Sequence, residues 1–280
     1  MLKCNIMNKP RLIIIDIDGT LIPDKSDISQ ININILHKAE EQGFKVALAS
    51  GRPFESVMQV VRKIGLKAPY HIVSDGAWCG NREGSALFST PVPNHLVEKI
   101  VAFARHINLH LELYTLRHGY AEKKNWSDCV HKDCLGVKLI YGDFKDLWQK
   151  EPILKIGFLA KEQSEINIIN HVEATFGHQV NFSLATAPCA SEVQFFNIVH
   201  QGVNKGSALH NLAAFYGIMP SEVVAIGDGT NDMAMLTAAG FGVAMANGRD
   251  ELKQIADYVT DSAEKDGVAK FLQTYILNSD

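Results

Sequence analysis

Residues 11–22 read Arg11-Leu12-Ile13-Ile14-Ile15-Asp16-Ile17-Asp18-Gly19-Thr20-Leu21-Ile22, an apolar run that ends in two carboxylates one residue apart. Leu12 to Ile15 shows no polar alternation, which suits a strand covered on both faces, as in the parallel sheet of an α/β domain. Such sheets bind ligands at the carboxyl ends of their strands. Asp16 falls at that end and Asp18 follows in the turn, where Gly19 and Thr20 let the backbone bend tightly and come close to a bound group. An Asx-type turn accounts equally for Asp18-Gly19. It does not account for Asp16 closing so apolar a run.

Outward from this stretch, strands and helices alternate. Ile31, Ile35 and Ala39 recur at a spacing of four before Gly43, and Lys45 to Ala49 then reads as a second strand. Phe54, Val57, Val61 and Ile64 mark another helix, and Tyr70 to Ser74 a third strand before Asp75-Gly76. The rhythm returns downstream. Leu209, Leu212 and Tyr216 lie on a helix, followed by a strand Val223 to Ile226, a helix from Asn231 to Ala239, a strand Phe241 to Ala244, and Tyr258 to Thr260. These stretches, residues 1–83 and 196–280, read as halves of one Rossmann-like parallel sheet core. Residues 84–195 differ in texture: helices at His95 to His106 and Gln163 to Phe176, with strands at Leu111 to Thr115, Ile153 to Leu159, Val180 to Leu184 and Val193 to Ile198, predict an inserted α+β domain. Its polar and aromatic stretch, with Arg117, His118, Tyr120 and Lys123, reads as the lining of a substrate pocket or as a solvated hairpin.

Composition narrows the ligand. The chain has 280 residues, 46% of them apolar and 21% charged, as in a folded soluble protein. A net charge of -4 without a basic cluster argues against nucleic acid and favours a small molecule. Asp16 and Asp18 interrupt the longest early apolar segment, so neither a signal peptide nor a membrane span is expected. Five scattered cysteines suit a reducing, cytoplasmic setting better than a disulfide framework. Cys129, His131 and Cys134 suggest zinc, but no second pair stands at ligand spacing, and free loop thiols are the simpler reading.

Three further constellations fall at strand ends or helix starts. Ser50-Gly51-Arg52-Pro53 offers a hydroxyl and turn N–H groups ahead of a helix, suited to an oxyanion, though also to an ordinary helix entry. Gly227-Asp228-Gly229-Thr230-Asn231-Asp232 places two carboxylates and an amide within five positions, more than helix capping requires. Lys205 stands at a helix start, where the macrodipole disfavours a cation, which points to a bound anion as compensation or to an exposed lysine with its head in water.

Taken in order, Asp16-Ile17-Asp18-Gly19-Thr20-Leu21, Ser50-Gly51-Arg52, Lys205-Gly206, Gly227-Asp228 through Asn231-Asp232, Gly240 to Gly248, and Asp266-Gly267-Val268-Ala269 resemble the haloacid dehalogenase superfamily of phosphohydrolases, in its Cof-like branch. The resemblance spans nearly the whole sheet core. It implies that residues 84–195 form a substrate-specifying cap. Two departures stand out: Asp75-Gly76-Ala77 occurs where Asn-Gly-Ala is usual, and Asn197 where the branch often has Glu.

The implied activity is a Mg²⁺-dependent phosphatase acting on a small phosphate ester such as a sugar phosphate. A phosphate dianion repels a carboxylate nucleophile, so a divalent cation must bridge them, and Mg²⁺ favours a few carboxylates plus substrate oxygen. The resemblance gives Asp16, Asp228 and the main-chain carbonyl of Asp18 as metal ligands, with Asp232 acting through water. Asp16 is then the nucleophile that forms an aspartyl-phosphate. Asp18 is the general acid and later the base. Ser50, Lys205 and Asn231, with the N–H groups of Ile17 and Gly51, would hold the phosphoryl oxygens, and Arg52 joins the cap residues as a specificity candidate. A phosphomutase on the same core and a non-catalytic phosphate-ester binding protein are the alternatives; a binder has no need of both Asp16 and Asp18.

Overall fold

A computed structural model describes residues 10–23, 27–132, 136–187 and 190–277. The chain begins β1 (Leu12–Ile15), α1 (Gln30–Glu41), β2 (Lys45–Leu48), α2 (Phe54–Ile64), β3 (Tyr70–Val73), β4 (Trp78–Asn81) and β5 (Ala86–Ser89). Its middle part comprises α3 (Asn94–His106), β6 (Glu112–Tyr114), β7 (Gly119–Ala121), α4 (Ser127–Val130), β8 (Leu139–Tyr141), α5 (Leu147–Lys150), β9 (Lys155–Ala160), α6 (Gln163–Phe176), β10 (Val180–Ala187) and β11 (Ala190–His200). It ends with α7 (Lys205–Phe215), β12 (Val223–Gly227), α8 (Met233–Ala238), β13 (Phe241–Met245), α9 (Asp250–Ile255), β14 (Tyr258–Thr260) and α10 (Gly267–Phe271).

The first and last parts build a five-stranded parallel sheet in the order β14-β13-β12-β1-β2. Both faces of β1 are buried: Ile13 and Ile15 enter one core with Leu36, Val57 and Phe271, while Leu12 and Ile14 enter another with Leu209, Leu212 and Met235. This is why β1 carries no polar alternation. The register decides where chemistry can gather. Ile15 stands level with Leu48 of β2 and Ile226 of β12, so the residues after these strands emerge side by side at one edge.

The α/β class expected from the sequence is the one observed, with local differences. Tyr70–Val73 meets the parallel sheet through one bridge, Ala49 to Ile72, and otherwise pairs antiparallel with β4 in a small three-stranded sheet with β5. The turn at Ser74–Gly76 folds the chain straight back, so the strand's hydrogen bonds go to its own hairpin. The helix expected from Asn231 begins at Met233, because Thr230–Asp232 form a tight 3₁₀ turn.

A second, six-stranded sheet, β10-β11-β9-β6-β7-β8, is antiparallel except between β7 and β8. Helices α3 and α6 cover one face, burying Val97, Ile100, Ile169 and Val172 against Leu113, Ile156, Phe158 and Ile198. Leu87 and Phe88 of β5 pack instead on the parallel-sheet core.

Candidate active site

Asp16 follows β1 directly, is 5% exposed, and its N–H donates to the Ile226 carbonyl at 2.9 Å. The chain then curls over itself, with Leu21 and Ile22 N–H groups donating to the Ile17 carbonyl. Gly19 takes φ 76°, and a Cβ there would lie 2.3 Å from Asp228 Oδ2, so both conformation and proximity require glycine. Thr20 Oγ1 donates to Asp228 Oδ1 at 2.8 Å, and Asn247 Nδ2 fixes the Gly19 carbonyl. One carboxylate oxygen from each of Asp16, Asp228 and Asp232 lies within 4.8 Å of the others.

Lys205 answers this charge. Asn204 caps α7 by accepting from Ser207 N–H, and Lys205, its first residue, is buried with Nζ 2.7 Å from Asp16 Oδ1 and 2.6 Å from Asp232 Oδ1. Burial alone would depress the Lys205 pKa, but Asp16 and Asp232 outweigh it and raise it above the ordinary value. The head of this lysine is therefore buried rather than in water, and the partners seen against it are two carboxylates of the chain itself. Three carboxylates against one ammonium still leave excess negative charge. Burial, then Asp232, raises the Asp16 pKa, and the same causes push Asp228 up to about 7. Asp232 Oδ2 accepts from the N–H groups of Asp228 and Gly229, so both its oxygens are engaged and it shapes the loop.

Asp18 is held by Arg52, with Nε to Oδ2 at 2.7 Å and Nη2 to Oδ1 at 2.6 Å, the bidentate geometry of a strong charge-assisted pair. Ser50 follows β2 with its Oγ accepting from Arg52 N–H at 3.1 Å. Asn231 Nδ2 donates to Asp75 Oδ1 at 3.0 Å, and Ser183 of β10 donates to Asp75 Oδ2 at 3.2 Å. The buried side chain of Ile17 packs into the core, leaving its backbone to the loop after Asp16.

A cleft between the strand ends and the second sheet is lined by Asp16, Asp18, Ser50, Gly51, Arg52, Asp228 and Asn231 from below. Lys155, Leu184, Ala185, Gln194, Phe195 and Asn197 line it from the second sheet, with Arg249 and Glu251 at its rim. The specificity candidates singled out from sequence within residues 84–195 lie elsewhere. Arg117 bonds Glu55 and the Glu83 carbonyl and covers the Phe54 ring, and Tyr120 donates to Glu151. Neither His118 nor Lys123 lines the cleft, because β10 and β11, rather than the β6–β7 hairpin, face the strand ends. A signal for Lys155 did exist: it is the one charged residue within the apolar run Ile153 to Leu159. His131 bonds Glu112 at 2.7 Å in the second sheet's interior, Cys129 is exposed, and Cys134 lies outside the described residues. No helix among the described residues is long and apolar enough to cross a membrane.

A family model described as haloacid dehalogenase-like hydrolase matches residues 13–272. The chain is 28% identical over 272 residues to the 5-amino-6-(5-phospho-D-ribitylamino)uracil phosphatase YitU of Bacillus subtilis (strain 168), covering 95% of this chain and 98% of that protein. It is 25% identical over 271 residues to the HMP-PP phosphatase of Yersinia pestis (strain Pestoides F), covering 95% of each. Among solved structures, a haloacid dehalogenase-like hydrolase from Bacteroides thetaiotaomicron superposes with a TM-score of 0.81 at 27% identity, covering 95% of this chain and 99% of that one.

Proposed function

The chain belongs to the haloacid dehalogenase-like hydrolase family, and from that premise we propose that it is a Mg²⁺-dependent phosphatase of a small phosphorylated metabolite, working through an aspartyl-phosphate on Asp16. One observation carries the reading: Asp16, Ser50, Lys205, Asp228 and Asn231, from five separate segments, converge on the level ends of β1, β2 and β12. The oxygen-only cluster of Asp16, Asp228 and Asp232 suits a hard divalent cation. Asp16, Asp228 and the Asp18 carbonyl would hold it, with Asp232 fixing the loop that presents Asp228. Mg²⁺ bound there supplies the charge that lets a carboxylate approach a phosphate dianion.

The chain's own residues account for the rest. Asp16 attacks phosphorus and the ester oxygen leaves; Asp18 gives that oxygen a proton, then takes one from the water that hydrolyses the aspartyl-phosphate. Both Asp18 carboxylate oxygens accept from the Arg52 guanidinium, so Asp18 can reach the ester oxygen only once Arg52 releases it, an exchange that substrate binding would drive. Ser50, Lys205, Asn231 and the Ile17 and Gly51 N–H groups neutralise the phosphoryl oxygens. The second sheet is the cap, extending from about residue 90 to His200. Its apolar wall of Leu184 and Phe195 beside the amides of Gln194 and Asn197 reads the leaving group.

The test is a panel of phosphorylated metabolites assayed for phosphate release with Mg²⁺, with chelator, and with Asp16→Asn. Turnover should require the metal and vanish in the variant while its melting stays cooperative. Activity within tenfold of the parent in Asp16→Asn would refute the nucleophile.

A further inference from the structure

Lys155 opens β9 and is buried, yet it belongs to none of the roles above. Its Nζ donates to the Gly51 carbonyl at 2.8 Å and lies 4.7 Å from the centre of the Tyr114 ring. Asn197 of β11, a neutral amide, shares its face, because it registers opposite Gly157, two residues on from Lys155. Asp75 and Glu112 compensate its charge from farther away.

The carbonyl it grips is one end of the Gly51–Arg52 peptide. The other end, the Arg52 N–H, donates to Ser50 Oγ at 3.1 Å. A cationic donor on the carbonyl polarises the peptide and strengthens the bond its N–H makes. With that N–H occupying a lone pair, the Ser50 hydroxyl keeps its proton for a group in the cleft that Ser50 lines. The peptide cannot slide away from Lys155, because the Asp75 N–H holds the Ser50 carbonyl and the Asp75 carboxylate stands 3.0 Å from where a Gly51 Cβ would be.

We propose that Lys155 is a positioning residue: by fixing the Gly51–Arg52 peptide it holds the Ser50 hydroxyl as donor to a phosphoryl group, and makes that donor depend on the second sheet being seated over the strand ends. This rests on the reading of Ser50 as a phosphoryl ligand. Competitive inhibition by inorganic phosphate, measured with Mg²⁺ on the full chain, tests it in the parent, Lys155→Met, Ser50→Ala and the double variant. Loss of one hydrogen bond from a charged donor corresponds to about a tenfold change. Lys155→Met should therefore raise the inhibition constant about tenfold in the parent and less than about twofold in Ser50→Ala. Simple removal of a positive charge near a dianion would give the same factor in both backgrounds, and that result, or no change, would overturn the proposal. An unchanged constant in Ser50→Ala alone would instead bring down the reading of Ser50, and this proposal with it. Should Lys155→Met not fold, Lys155→Gln, one atom shorter and neutral, carries the same two expectations.

Discussion

Asp228→Asn should stabilise the metal-free protein while abolishing its activity. Asp228 is pushed up to about 7 from an ordinary 3.8, by burial first and the Asp232 charge second. Between those values the folded chain binds a proton that the unfolded chain has released, so the parent loses stability as pH rises through this window. At about 1.4 kcal/mol for each pH unit, the loss amounts to about 4 kcal/mol above pH 7. The amide has no charge to bury and can still accept from Thr20, so it escapes this cost. Allowing for relaxation around the parent's carboxylate, a gain of about 2–4 kcal/mol is expected, roughly 5–10 °C in Tm for a chain of this size. The assay is thermal melting of both proteins in chelator from pH 4.5 to 8. His71, which burial pushes down to about 3, loses stability as pH falls below its unfolded value, but it is present in both proteins and cancels in the difference. The gap should be widest above pH 7 and fall to about a quarter of that at pH 4.5, and Mg²⁺ should narrow it at pH 8 by binding the folded parent. A variant no more stable than the parent at pH 8, or a gap independent of pH, would show that Asp228 bears no electrostatic strain.

Two further outcomes follow from the cleft. Asp18→Asn should slow single-turnover phosphorylation less with p-nitrophenyl phosphate than with an alkyl phosphate, since a good leaving group needs little protonation; equal losses would remove Asp18 as the acid. Phe195→Ala should change the kcat/KM ratio between the best and a poor metabolite by about tenfold, as expected for an apolar pocket wall, whereas Arg117→Ala should leave that ratio unchanged; the opposite pattern would return specificity to the β6–β7 hairpin.

The parallel-sheet class and the core motifs were legible because they are local. Leu12 to Ile15 announces a strand buried on both faces, and in a parallel sheet a polar residue at such a strand's end has few other places to go than the ligand edge. Asp16, Ser50 and Asp228 could thus be placed from the residues preceding them. Lys205 could be placed at a helix start, but not between Asp16 and Asp232, since that depends on how α7 approaches β1. Contacts across the cleft were not legible at all. The Arg52–Asp18 pair, the Asp75 carboxylate against Asn231, and Lys155 on the Gly51 carbonyl join residues far apart in sequence. For the second sheet the sequence supplied strands without saying which face turns toward Asp16. A period of two puts Lys155 and Asn197 on a common side, while only the packing of α3 and α6 on the opposite face decides that this side meets the strand ends.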